Sequence, residues 1–192
     1  MSLIEPQLTS SVRQDWETPQ DLFDKLNEVY HFDWDAAATG ETSKTNPVRC
    51  FDPDHEHNWC RDALSIKDWQ DAAEACVSCA GESAKAGGFQ GRGGHARVFW
   101  LNPPYGRDIR KWMDKAYEQS RRPGVTVVVL TFARTDTRWW HEVVSKAAEV
   151  RLLKGRVKFL QDGKVLAPAP APSAVITFAG WSEGPPVVKF GL

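Results

Sequence analysis

Two continuous apolar runs joined by one amphipathic helix constrain this chain more than any other feature. Val98-Phe99-Trp100-Leu101 is apolar at every position, and Val125–Leu130 is apolar but for Thr126. A strand of that kind needs cover on both faces, which is the condition of a buried parallel strand. Between them Ile109, Trp112, Met113, Ala116 and Tyr117 recur at helical spacing and predict a helix over about 107–120. Strand, helix, strand is the repeating unit of a parallel α/β sheet. The alternation continues on both sides. Thr18-Pro19 reads as a helix start, with Thr18 as N-cap and Pro19 as first helical residue, followed by an apolar face of Leu22, Phe23, Leu26, Val29 and Tyr30. Phe32–Ala36 alternates like a strand. Further on, a helix over about 137–147 buries Trp140, Val143, Val144 and Ala147, and Glu149–Leu153, Val157–Leu160 and Ala174–Phe178 read as strands, with Asp162-Gly163 a hairpin turn. The expected fold class is α/β, a mostly parallel sheet with an antiparallel C-terminal edge.

The length of 192 residues suits one domain. Its expected extent is 15–180, after a polar, mobile tail over 1–14 and before a C-terminal tail over 181–192. Residues 78–97, with Gly87-Gly88 and Gly91-Arg92-Gly93-Gly94, read as a glycine-rich insertion. No apolar stretch approaches the length of a membrane span, and the acidic start is no signal peptide. A cytoplasmic monomer with no membrane partner is expected.

The turn after Leu101 carries the chemistry. Asn102-Pro103-Pro104-Tyr105 places an amide, two prolines and an aromatic at the carboxyl end of a strand, where parallel sheets bind ligands. The prolines fix φ and lack N–H groups, so the turn cannot be absorbed into the helix that follows. That leaves the Pro103 carbonyl beside the Asn102 amide oxygen as two acceptors for one NH2 group. Tyr105 offers a face for a planar heterocycle. The set suits a flat, amine-bearing substrate.

Four further landmarks accompany this turn: Trp16-Glu17-Thr18-Pro19, Phe32-Asp33-Trp34-Asp35-Ala36-Ala37, Asp62-Ala63-Leu64 with Trp69, and Gly155-Arg156-Val157-Lys158-Phe159. In order and spacing, over roughly 15–160, they resemble the phage-type DNA N-6-adenine methyltransferase (Dam) family. The resemblance implies a Rossmann-like sheet, S-adenosyl-L-methionine as methyl donor, and DNA containing unmethylated adenine as partner. It implies site-specific transfer to adenine N6, with Asn102, Pro103, Pro104 and Tyr105 as catalytic residues and protection of phage DNA from restriction as the purpose. It further implies that Thr18 and Pro19 lie along the methionine end of the cofactor, that Asp35 and Ala36 close the first strand beside it, that Asp62 meets its adenine amino group, and that Asn102 borders it. One departure stands out. Ala36-Ala37-Ala38-Thr39-Gly40 replaces the usual glycine-rich turn, and Glu41 is the only nearby candidate for the ribose hydroxyls. Asn-Pro-Pro-Tyr also occurs in enzymes acting on RNA or protein. A rival from another class is a nucleic-acid-binding module of the same fold without transfer.

Charge is distributed unevenly. Residues 1–96 hold 8 Lys/Arg against 17 Asp/Glu, a balance of −9, and residues 97–160 hold 14 against 6, a balance of +8. Such a split points to one polyanion-facing side. Arg107, Arg110 and Lys111 after the motif, Arg134 and Arg138 after the second apolar run, and Arg156 are the candidate phosphate contacts, with solvated helix faces or ion pairs as the other reading. Four cysteines remain. Cys76-x2-Cys79 has metal-ligand spacing, and Cys50 or Cys60 with a histidine would complete a zinc site. The alternative is reduced, partly buried thiols, disulfides being disfavoured in a cytoplasmic protein.

Overall fold

The computed structural model describes residues 16–38, 41–45, 50–54, 60–79, 98–180 and 186–192. Its helices are α1 (Gln20–Tyr30), α2 (Trp69–Cys79), α3 (Ile109–Ser120) and α4 (Arg138–Val143). Its strands are β1 (Trp34–Asp35), β2 (Val98–Leu101), β3 (Thr126–Phe132), β4 (Glu149–Leu152), β5 (Leu160–Gln161), β6 (Lys164–Val165), β7 (Ser173–Ala179) and β8 (Val187–Phe190). Six of these form one sheet in the order β1-β2-β3-β7-β4-β8, and β5 and β6 form a separate hairpin.

The two apolar runs behave as expected. β2 and β3 pair in parallel, Phe99 opposite Val127 and Leu101 opposite Val129, and both are buried on each face. β7 is the antiparallel strand, and it is hydrogen-bonded on both sides, to β3 and to β4. It therefore lies inside the sheet. The strand beyond β4 is β8, parallel to it, with Val150 opposite Val188. Residues 187–190, expected within a C-terminal tail, thus extend the sheet instead. Their short Val-Val-Lys-Phe pattern alternates too little to stand out in sequence.

Alternate side chains of each strand feed two cores. Trp34, Phe99, Leu101, Val127 and Val129 pack with α2, α3 and α4 on one face. Trp100, Val128, Leu130 and Val175 pack with α1 and with Phe159, Ala169 and Ala171 on the other. The layering is helix, sheet, helix.

Several elements differ from the sequence reading, among them β5, which begins only at Leu160 where a strand over Val157–Leu160 is expected. α1 begins at Gln20, because Pro19 is still extended (ψ 138°), and Thr18 makes no capping bond. α2 was not anticipated at all, although Trp69, Ala72, Ala73 and Cys76 sit at helical spacing and are buried. α3 opens two residues late, at Ile109. The hairpin is as expected: Asp162 (φ 49°) and Gly163 (φ 72°) take the paired left-handed conformation of a tight two-residue turn. The expected tail over 1–14 lies outside the described residues, as does the expected insertion, except where Ser78 and Cys79 end α2. Among the described residues no helix is long and apolar enough to cross a membrane.

Candidate active site

The carboxyl ends of β1 and β2 lie side by side, with Asp35 opposite Trp100 and the Ala36 N–H donating to the Trp100 carbonyl at 2.8 Å. In front of them opens a cavity of about 450 Å3, within the range of small-molecule and cofactor sites. Thr18, Asp35, Ala36, Asp62 and Asn102, expected from four separate stretches of sequence, all line it. Pro19, the sixth, faces a different groove.

Each lining group has a legible environment. Asp35 is 3% exposed, and its carboxylate accepts the Ala37 N–H (3.2 Å) and the Lys44 N–H (3.3 Å), tying down the loop after β1. Burial outweighs these two bonds and the Lys44 charge, and lifts its pKa to about 6. Ala36 and Ala37 continue without positive φ, so these two positions have no need of glycine, while Thr39 and Gly40 lie outside the described residues. Asp62 caps its own turn, one oxygen accepting the Leu64 N–H at 3.0 Å while the residue borders the cavity. Thr18, released from capping, is 2% exposed, and its hydroxyl has no hydrogen-bond partner although it borders the cavity. A buried hydroxyl left unpaired is costly and marks a place where a ligand atom belongs.

The lining is acidic. Glu17, Asp35, Glu41, Asp62 and Asp162 face it, against Lys44 and Arg61. Glu41, the sequence candidate for ribose contact, is thereby at the cavity. Trp112 of α3, Phe51 and Ala63 supply apolar wall. Trp112 was read only as part of a helix's apolar face, and Phe51 carried no signal in sequence.

Asn102 stands between this cavity and an aromatic cluster. Its Oδ1 accepts the Tyr105 hydroxyl at 2.9 Å, and its Nδ2 donates to the Trp16 carbonyl. Pro104 borders the cavity and Pro103 is buried. Tyr105 corrects an expectation. Its ring presents no open face, being 7% exposed and stacked on Phe132 at 4.3 Å, and burial drives its hydroxyl pKa well above the ordinary value. The indole of Trp16 lies against both Tyr105 (5.4 Å, 39°) and Phe159 (5.5 Å, 35°). The place expected for a stacked heterocycle is occupied by the chain's own tryptophan. Glu17 fixes that segment through two backbone bonds with Leu160, 2.8 and 3.0 Å.

The basic candidates divide. Arg110 is bonded to Asp114 and Glu142 at 2.7 and 2.6 Å, Arg138 to Glu142, and Lys111 to Asp108 at 2.7 Å. Arg110 and Arg138 share Glu142 in a network between α3 and α4, and Lys111 forms a separate pair. Arg107 and Arg134 are exposed, and Arg156 spends one N–H on the Ala169 carbonyl at 3.3 Å.

The cysteines do not converge. Cys60 and Cys76 are joined as a disulfide in the core beside α2, where reduced thiols were expected. Cys50 lies apart, its thiol pushed up to about 12 by burial and then by the carboxylates of Asp35 and Asp52. Among the described residues no three potential ligands gather as a metal site. The side chain of Cys79 and both candidate histidines, His55 and His57, lie outside the described residues.

The geometry thus offers a cation-suited cavity, an amide at its edge and an aromatic cluster behind. No curated protein matches the chain. A family model described as DNA N-6-adenine-methyltransferase (Dam) matches residues 88–183, which include β2, the Asn102–Tyr105 turn, Arg156 and β7. With half its length matched, the chain belongs to the DNA N-6-adenine-methyltransferase (Dam) family.

Proposed function

We propose that this protein transfers a methyl group from S-adenosyl-L-methionine to N6 of adenine in DNA, at a specific site. The observation that carries the reading is the position of Asn102, held from behind by Tyr105 and facing the acidic cavity from the end of β2. S-adenosyl-L-methionine, when bound, supplies an electrophilic methyl on a sulfonium. The residues present fit it: a carboxylate-rich lining suits its positive charge, and the orphaned Thr18 hydroxyl awaits a polar partner. Thr18, Asp35, Ala36 and Asp62 would hold it, with Glu41 at the ribose.

The chain's own part in the chemistry follows from hydrogen-bonding capacity. Asn102 Oδ1 has two lone pairs and spends one on Tyr105. The second accepts a hydrogen of the substrate amine, which draws the nitrogen lone pair out of ring conjugation. The carbonyl of Pro103 takes the other hydrogen. Asn102 is no base, so the proton leaves to water after transfer. Adenine inside a duplex cannot reach this point, and flipping it out costs a few kcal/mol. We further propose a phage setting in which the mark protects DNA from restriction.

The test is incubation with tritiated S-adenosyl-L-methionine and unmethylated genomic DNA, followed by digestion to nucleosides. Label in N6-methyladenine is the expected result. Cofactor binding without label in DNA would refute the DNA assignment and move the substrate to RNA or protein.

A further inference from the structure

A second concavity, of about 680 Å3, opens beyond Pro19 and Leu160. It is bordered by Lys25 of α1 and by Lys154, Arg156 and Lys158 from the loop after β4, against one acidic side chain, Asp21. Among the described residues none of the three lysines has an ion-pair partner, in contrast to Arg110, Lys111 and Arg138. Four cations around one groove repel each other, and the folded chain tolerates this best where an anion of matching spacing is delivered from outside.

We propose that this groove holds the phosphate backbone of the DNA strand that carries the target adenine. The inference rests on the reading of DNA as substrate and adds the surface that binds it. Three features support the assignment. The groove adjoins the reaction site, because Leu160 borders it and is bonded through its backbone to Glu17, which lines the cavity. Its floor is aliphatic, built from Leu22, Leu153, Val157 and Val165, and Val165 is 67% exposed. Such a floor accommodates deoxyribose while the lysines at the rim meet phosphates. Among the described residues no aromatic ring lines the groove and Gln20 is its one side-chain amide, so it carries affinity and register, and base reading falls to other residues.

The test is the salt dependence of DNA binding by the full chain, measured by fluorescence anisotropy on a duplex of mixed sequence. Each phosphate contact contributes about 0.9 to the slope of log affinity against log salt. Lys154→Ala combined with Lys158→Ala is expected to reduce that slope by about 2, with the affinity for S-adenosyl-L-methionine and the thermal midpoint unchanged. An unchanged slope in this variant overturns the proposal. So does an equal loss on neutralising Lys111 and Arg138, since the α3–α4 side would then carry phosphates. If the wild-type protein binds DNA and methylates it, failure of the lysine variant condemns the groove alone. If the wild-type protein binds no DNA at low salt, the substrate reading falls with it.

Discussion

The cavity and the groove meet at one short segment, Trp16–Pro19, and carry opposite charge. Five carboxylates against two cations face the cavity, and four cations against one acidic side chain face the groove. The imbalance visible along the sequence, acidic before residue 97 and basic after it, is converted by folding into two adjacent sites of opposite sign. In the proposed reaction a cationic donor and a polyanionic acceptor would thereby be drawn to neighbouring places without competing for one. Asn102 lines the cavity and is bonded to Trp16 of that joining segment, and its loss is expected to separate binding from reaction most sharply. Asn102→Ala is expected to lower methylation by about 10²–10³-fold or more, the size of effect seen when one group that stabilises a transition state is removed. Affinities for cofactor and DNA should stay within about tenfold, or ~1.4 kcal/mol. Retained turnover would refute the role assigned to the amide.

The acidic side responds to pH through Asp35. Its pKa of about 6 means the carboxylate is charged at pH 7 and largely neutral one unit below 6. Affinity for S-adenosyl-L-methionine is expected to fall by up to about tenfold between pH 7 and pH 5, a trend that calorimetry would detect and that Asp35→Asn should flatten. The effect on stability runs the other way. A carboxyl whose folded pKa is raised holds its proton more tightly folded than unfolded, so its contribution is full below the unfolded value of 3.8 and is lost as pH rises through about 6. Cofactor-free protein should therefore gain stability at pH 7 from Asp35→Asn. A common direction for both responses would show that Asp35 does not face the ligand.

Much of this arrangement was legible in the chain, and what was hidden had a common cause. β2, β3 and the turn between strand and helix could be read because a fully apolar strand and a Pro-Pro turn are local signals. Thr18, Asp35, Ala36 and Asp62 were picked out by resemblance, and the fold gathers all four around one cavity. The family match itself begins at residue 88 and does not reach these four. α2 apart, whose helical spacing was a local signal, the misreadings are tertiary. Trp16 reaches Asn102 across 86 residues, and no spacing rule could foresee that its ring would close the Tyr105 face. Arg110 and Arg138 look like phosphate ligands until Glu142 is placed between them. Cys76 with Cys79 has ligand spacing, yet Cys76 turns inward to Cys60.

The aromatic cluster sets a finer test of the junction. Because Tyr105 is enclosed by Trp16, Phe132 and Phe159, removing its ring would damage packing as well as chemistry. Tyr105→Phe leaves the ring and deletes only the hydroxyl that orients Asn102 Oδ1. Loss of one such hydrogen bond, about 0.5–1.5 kcal/mol, predicts a drop in kcat of about 2- to 12-fold. DNA binding should be unaltered. A kcat equal to wild type would mean that Asn102 is held in place without Tyr105.

The smallest expected change carries the most specific signature. The Thr18 hydroxyl is buried and unpaired beside the cavity, so in the cofactor-free protein it costs stability and gains nothing. Thr18→Val replaces it with a methyl of similar shape, and the cofactor-free protein is expected to keep or slightly raise its thermal midpoint. With S-adenosyl-L-methionine bound the sign reverses. The hydroxyl then has a partner, and the variant should bind about 2- to 12-fold more weakly, the equivalent of one hydrogen bond. Only a ligand that reaches Thr18 produces opposite signs in the two measurements. Equal affinity in variant and wild type would place the cofactor elsewhere in the cavity, and would leave the acidic lining, rather than this segment, as its principal hold.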